Sequence, residues 1–125
     1  MNGLPMLMRK PIVSYEAFDV VVVPFPFTDS TTTKRRPALV ISNADTFNKQ
    51  VGQSVLAMIT SAKNSDWPLD IEIDDLDSAG LSSASIVRMK IFTLDDRLVL
   101  RKAGALAAND QKRISAVLKK LLAGS

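Results

Sequence analysis

The run Asp19-Val-Val-Val-Val-Pro-Phe-Pro-Phe27 sets the tightest limit on how this chain folds. Four consecutive β-branched residues are stiff at χ1 and fit a pleated strand better than a helix. Valine at every position means both faces must be covered, and Pro24 and Pro26 end the strand. Pro37-Ala-Leu-Val-Ile-Ser42 reads as a second strand, with the proline at its first residue. The polar, basic stretch from residue 28 to 36 lies between them, so the pair reads as a hairpin with a long basic tip.

Further short strands are predicted over residues 54–60, 69–73, 85–91 and 98–100. Residues 69–73 alternate apolar and charged, as a strand with one wet face does. Residues 43–52 read as a polar turn region anchored by Phe47, and residues 74–83 as an acidic turn. Thr93 is placed to cap one helical turn, and Gly104 to break the chain after the last strand. Ile114, Val117, Leu118, Leu121 and Leu122 then fall on one helical stripe, starting near Asn109 or Asp110 and stopping at Gly124. Strands at short spacing before one helix predict a mainly antiparallel β domain, a curled barrel or half-barrel closed on one side by the helix. At 125 residues one domain is expected, over residues 18–125, after a loose arm at residues 1–17. No apolar run nears the ~20 residues that span a membrane, and the start lacks a signal pattern, so a cytoplasmic location is expected.

Composition narrows the chemistry. The chain has no cysteine and no histidine. Disulfides, thiolate zinc sites, Ser-His-Asp hydrolysis and paired-histidine ribonuclease chemistry are therefore excluded. Catalysis must use arginine, lysine, hydroxyls or carboxylates. Residues 1–50 carry six basic and four acidic side chains, residues 51–84 one and six, and residues 85–125 nine and three. Such basic ends could attract a polyanion or an acidic peptide, or simply form a solvated surface.

Lys34-Arg-Arg-Pro37 puts three cations beside a strand start. Pro37 pushes Arg36 into an extended conformation, so Arg36 is expected to be held while Lys34 and Arg35 move. A hairpin tip kept soluble by charge explains the same residues. Thr60 and Ser61 end a buried strand, where a hydroxyl can donate to an oxyanion or satisfy a nearby backbone group. Phe25 or Phe27 could stack a base, whereas Trp67 and the other aromatics are expected in the core. Asp74, Asp75 and Asp77 lack the full calcium-loop pattern and read as a solvated acidic turn.

The Val-Pro-Phe-Pro-Phe-Thr-Asp29 run followed by Lys-Arg-Arg-Pro-Ala-Leu-Val-Ile-Ser42 resembles the opening hairpin of the MazF/PemK family of type II toxins. Ser85-Ile-Val-Arg88, Phe-Thr-Leu-Asp95 and Arg-Leu-Val-Leu-Arg-Lys-Ala-Gly104 before a final helix resemble its second half, so the likeness covers residues 18–122 in order. Phe18 departs from it, standing where the family usually has glycine. The resemblance implies an SH3-like barrel that dimerises with its own copy and cuts single-stranded RNA, needing no metal or other cofactor. It implies Arg36 and Thr60 as catalytic residues, a mobile loop over residues 28–35 covering the RNA, and an antitoxin with a flexible, acidic segment as partner. Thr28, Lys34, Arg35 and Ser61 are the expected RNA contacts. The alternatives are a toxin of the same fold that poisons DNA gyrase, as CcdB does, or a binding module without activity. The first depends on a C-terminal Trp-Gly-Ile tail, and this sequence reads Leu-Ala-Gly-Ser125 there.

Overall fold

A computed structural model describes residues 14–25, 34–64 and 66–124. The hydrophobic runs form one antiparallel sheet of six strands: β1 (Asp19–Phe25), β2 (Lys34–Val40), β3 (Gln53–Ser61), β4 (Ile71–Glu72), β5 (Ser85–Asp95) and β6 (Arg101–Ala105). Their order across the sheet is β4-β5-β3-β2-β1-β6. Among the described residues three α-helical pieces accompany them: α1 (Lys49–Val51), α2 (Leu76–Ala79) and the C-terminal α3 (Ala108–Leu121).

The sheet is covered on both faces, as the valine run requires. On one face Val20, Leu39, Ala57, Ile59 and Val87 pack against Ile114 of α3. On the other Val21, Val23, Ala38, Val40 and Leu56 form a second cluster, sealed in part by Tyr15. The alternation within β1 sorts its valines between the two clusters.

The sheet curls into a half-barrel because its two edges are bridged. The segment after β4 folds as α2 and lies directly on β6 at the other edge. A Cβ on Gly80 would stand 2.0 Å from the Ala103 carbonyl oxygen, and one on Gly104 would stand 2.4 Å from that of Ser78. Only two glycines allow that approach, and Gly80 also takes φ +73°. Asp110 then ties α3 to this bridge. Its carboxylate accepts the Asp74 and Asp75 backbone N–H groups at 3.2 and 3.0 Å and pairs with Arg113. Burial pushes this carboxyl up, but the Asp75 N–H, Arg113 and the Asp74 N–H outweigh it and hold it below the usual carboxylate range.

Several predicted elements shift. The basic stretch from Lys34 to Arg36 belongs to β2, and Pro37 sits mid-strand opposite Val22. That is tolerated because the β2–β3 ladder ends at Ala38, so the missing proline N–H breaks no rung. Residues 43–52 are helical, a π-turn over Ala44–Asn48 running into α1; Asn43 caps it, and buried Asn48 anchors it in place of exposed Phe47. Asn48 donates to the Tyr15 carbonyl at 2.8 Å, tying down the end of the expected arm, most of which lies outside the described residues. β5 runs on through Thr93 to Asp95, and the helical turn follows over Asp96–Leu98. The last strand is β6, later than expected, and it contains Gly104. Leu121 and Leu122 remain exposed at the helix end. Phe18 takes φ +74°, the left-handed region that favours glycine, while its ring packs against the first cluster. Among the described residues no helix is long and apolar enough to cross a membrane.

Candidate active site

The register of β2 against β3 builds the site. Val40 pairs with Leu56, Leu39 with Ala57 and Ala38 with Met58. Arg36 and Thr60 each lie two residues past the last rung, Ala38–Met58, on their own strands. Both belong to the face of Ala38 and Met58, because side chains two apart share a face. Arg35 falls on the opposite face with Pro37 and Leu39. Arg36 is half-buried, whereas Lys34 and Arg35 are exposed. The restriction from Pro37 is thus realised as regular strand backbone opposite Val23.

Thr60 has a defined polarity. Its hydroxyl oxygen accepts a hydrogen bond from the Asn64 side-chain amide, which leaves the hydroxyl proton to point elsewhere. Ser61 next to it accepts the Lys63 backbone N–H at 3.2 Å.

These residues open onto a cleft of about 400 Å³ at the end of the half-barrel. Arg35, Arg36, Thr60, Ser61, Ser82 and Arg101 all line it, with Arg36 and Thr60 at strand positions of the face opposite to that of Arg35. Among the described residues no aspartate or glutamate lines the cleft. Among the described residues none of its three arginines has a carboxylate within ion-pair distance. Unpaired guanidinium groups and hydroxyls in a concave site suit a polyanion, and phosphate oxygens in particular.

Of the residues expected from the sequence, Arg35, Arg36, Thr60 and Ser61 are brought together. Lys34 stands beyond the cleft lining, opposite Phe25 at the far end of the hairpin. Thr28, Phe27 and the loop between the first two strands lie outside the described residues, apart from Lys34 and Arg35. Sequence reading missed Arg101, which reaches the cleft because β6 pairs with β1 and sets it opposite Val22. It also missed Asn64 and the serines after Gly80, whose positions depend on the bridge between the sheet edges.

One expectation is overturned. Trp67, assigned to the core, has 41% of its surface exposed. It precedes a tight turn, where Pro68 and Leu69 carry its chain out of the apolar interior. Its ring centroid lies 5.4 Å from both the Arg88 guanidinium carbon and the Lys90 ammonium nitrogen. The acidic turn is used structurally: the Asp75 carboxylate caps α2 by accepting the Ser78 N–H at 2.9 Å. Among the described residues no group of three acidic side chains is gathered to hold a metal ion.

The family model of PemK-like, MazF-like toxins of type II toxin-antitoxin systems matches residues 16–122. No curated protein sequence matches the chain. Among solved structures, MazF in a MazE–MazF crystal from Deinococcus radiodurans is 23% identical, covering 90% of this chain and 100% of its own, with a TM-score of 0.71. A crystal structure of MazF from the same organism is 21% identical, covering 87% and 96%, with a TM-score of 0.66. An endoribonuclease in complex with its cognate antitoxin, from a mycobacterial species, is 15% identical, covering 86% and 91%, with a TM-score of 0.65. At these identities the structural likeness establishes the fold.

Proposed function

Because the chain belongs to the PemK-like, MazF-like toxins of type II toxin-antitoxin systems, we propose that it is an endoribonuclease that cuts single-stranded RNA with Arg36 and Thr60 as its catalytic pair. The observation that carries this reading is the cleft lined by Arg36, Thr60, Arg35 and Arg101 with no carboxylate among the described residues.

The chemistry needs no histidine and no metal. RNA supplies its own nucleophile, the 2′-OH, and the protein's task is to align it and stabilise charge on the phosphorane. Arg36 presents a fork that binds two phosphate oxygens. A guanidinium is a permanent cation in proteins, so this role is charge stabilisation rather than proton removal. Thr60, whose oxygen already accepts from Asn64, donates a hydrogen bond to a phosphate oxygen. The 2′-oxygen bonds to phosphorus as the bond to the 5′-oxygen breaks, with the 2′-OH proton passing to water and water protonating the 5′-oxygen, so the products are a 2′,3′-cyclic phosphate and a 5′-OH end. Arg35 and Lys34, with Thr28 and Ser61, hold the flanking nucleotides. In the cell, cleavage of messenger RNA would arrest translation and growth in the cytoplasm.

Relatives of this fold are crystallised with an antitoxin. We propose the same for this chain, with a flexible acidic segment of the antitoxin laid over the basic cleft, on a toxin homodimer.

The test is cleavage of single-stranded RNA by the purified protein in EDTA, with both new ends mapped. Arg36→Ala should abolish cutting, a loss of at least ~100-fold as for other groups that stabilise a developing oxyanion, while circular dichroism and thermal melting stay unchanged. Cutting that needs added metal, or an active Arg36→Ala variant, overturns this reading. Binding should also weaken steeply with salt, because each phosphate contact releases counterions.

A further inference from the structure

Trp67 is held by its surroundings in a way that core packing does not require. The turn it opens is closed by the Asp70 N–H donating to the Trp67 carbonyl at 3.1 Å. Pro68 and Leu69 take its central positions, and Leu69 adopts φ +67°, a conformation that favours glycine. The Asp70 carboxylate accepts the Trp67 N–H at 3.1 Å and also binds Arg88 through two contacts of 3.2 and 3.0 Å. Arg88 and Asp70 are largely buried, with side-chain exposures of 12% and 16%. A strained turn and a part-buried bidentate ion pair thus fix the backbone of Trp67, a residue that stays 41% exposed.

The position relative to the cleft gives this platform a use. Arg88 pairs with Met58 across the β3–β5 ladder, and Thr60 pairs with Ile86. Arg88 and Thr60 therefore lie on one face, two residues apart along the strands, about 7 Å. The loop from β3 to Trp67 also supplies Asn64, which contacts Thr60. Lys90, the second cation beside the ring, is exposed and has no ion-pair partner among the described residues.

On the premise that Arg36 and Thr60 cut RNA, we propose that Trp67 is the stacking platform for the base of a nucleotide next to the scissile phosphate, with Lys90 turning from the ring to that nucleotide's phosphate. An aromatic face accepts any unpaired base, and the neighbouring cations set which base and orientation stack best. Trp67 is then a determinant of the cut motif and of RNA affinity, while the chemical step stays with Arg36 and Thr60.

Trp67 is the only tryptophan of the chain, so its emission reports directly on the ring. Titrating the Arg36→Ala protein with a random-sequence single-stranded RNA pool should quench that emission. In the active protein, Trp67→Leu should raise KM for the same pool about 5- to 100-fold, the range for loss of one stacked base. It should leave kcat nearly unchanged and relax the base preference at one position beside the cut. Trp67→Phe should restore most of both. Unquenched emission at saturating RNA overturns the platform, and it needs no substitution at Trp67, so it decides even where Trp67→Leu does not fold. An unchanged KM and motif in Trp67→Leu, while the unmodified protein cuts, overturns the platform alone. Failure of the unmodified protein to cut RNA removes the catalytic reading and the platform with it.

Discussion

Replacing Asp110 with alanine removes the carboxylate that fastens α3 to the bridge between β4 and α2. The side chain is 2% exposed and accepts two backbone N–H groups, those of Asp74 and Asp75, besides Arg113. A hydrogen bond to a charged group contributes about 1.5–3 kcal/mol. Two lost bonds would therefore cost up to about 6 kcal/mol, reduced because removing the carboxylate also removes its desolvation cost and because Asp74 and the Glu72 carbonyl still hold Arg113. The net loss expected is about 3 kcal/mol, or about 12 °C in Tm for a domain of this size. Asp110→Asn, which keeps one acceptor, should lose about half as much. The pH dependence has a definite sign. Asp110 titrates below its ordinary value of 3.8 in the folded chain, so the unfolded chain binds the proton more readily. Its contribution is present above about pH 4 and is lost as pH falls through the depressed folded value. Urea unfolding followed by circular dichroism, from pH 7 down to pH 3, should show the gap between unmodified protein and Asp110→Ala closing at the acid end. A loss below about 1 kcal/mol at pH 7, or a gap that stays constant with pH, would refute the argument.

Gly104→Ala should be more severe than its size suggests, because the new Cβ would meet the Ser78 carbonyl at 2.4 Å and force α2 off β6. A loss of at least about 3 kcal/mol is expected, with RNA cleavage falling too because the serines lining the cleft move; thermal melting and cleavage assays test both. Asp96 behaves in the opposite sense to Asp110. Burial, with the nearby Asp95 charge, pushes its carboxyl up against the opposing hydroxyls of Ser54, which donates to one oxygen at 2.6 Å, and Ser14. The folded chain then holds this proton more tightly than the unfolded one, so stability falls as pH rises through the interval above about 4. Asp96→Asn should match or exceed the unmodified protein at pH 7 by about 1 kcal/mol, with the difference shrinking towards pH 4 in chemical denaturation. Arg101→Ala should weaken RNA binding and reduce its salt slope by about 1, measured by fluorescence anisotropy at several salt concentrations.

Much of the architecture was legible because it is local. The valine run of β1 needs cover on both faces whatever surrounds it, and the stripe from Ile114 to Leu118 needs an apolar partner. Element boundaries were less legible where a neighbour decides them. Pro37 reads as a strand start, yet β1 continues the pairing past it and draws Arg35 and Arg36 into β2. Gly104 reads as a breaker, whereas contact with α2 is what makes a glycine necessary inside β6. Trp67 reads as core by residue type, but Asp70, Arg88 and a strained turn hold it at the surface.

The sequence by itself determined the chemistry open to this protein. With no histidine or cysteine, and with Arg36 constrained by Pro37, it favoured a cation-and-hydroxyl site on a mainly β domain. Tertiary structure alone decided what Arg36 faces. Strand register depends on which residues share a rung, and a shift of one residue would turn Thr60 to the opposite face. Arg101 and the serines after Gly80 come to the cleft from positions more than twenty residues past Thr60, through pairing and glycine contacts that no local pattern encodes.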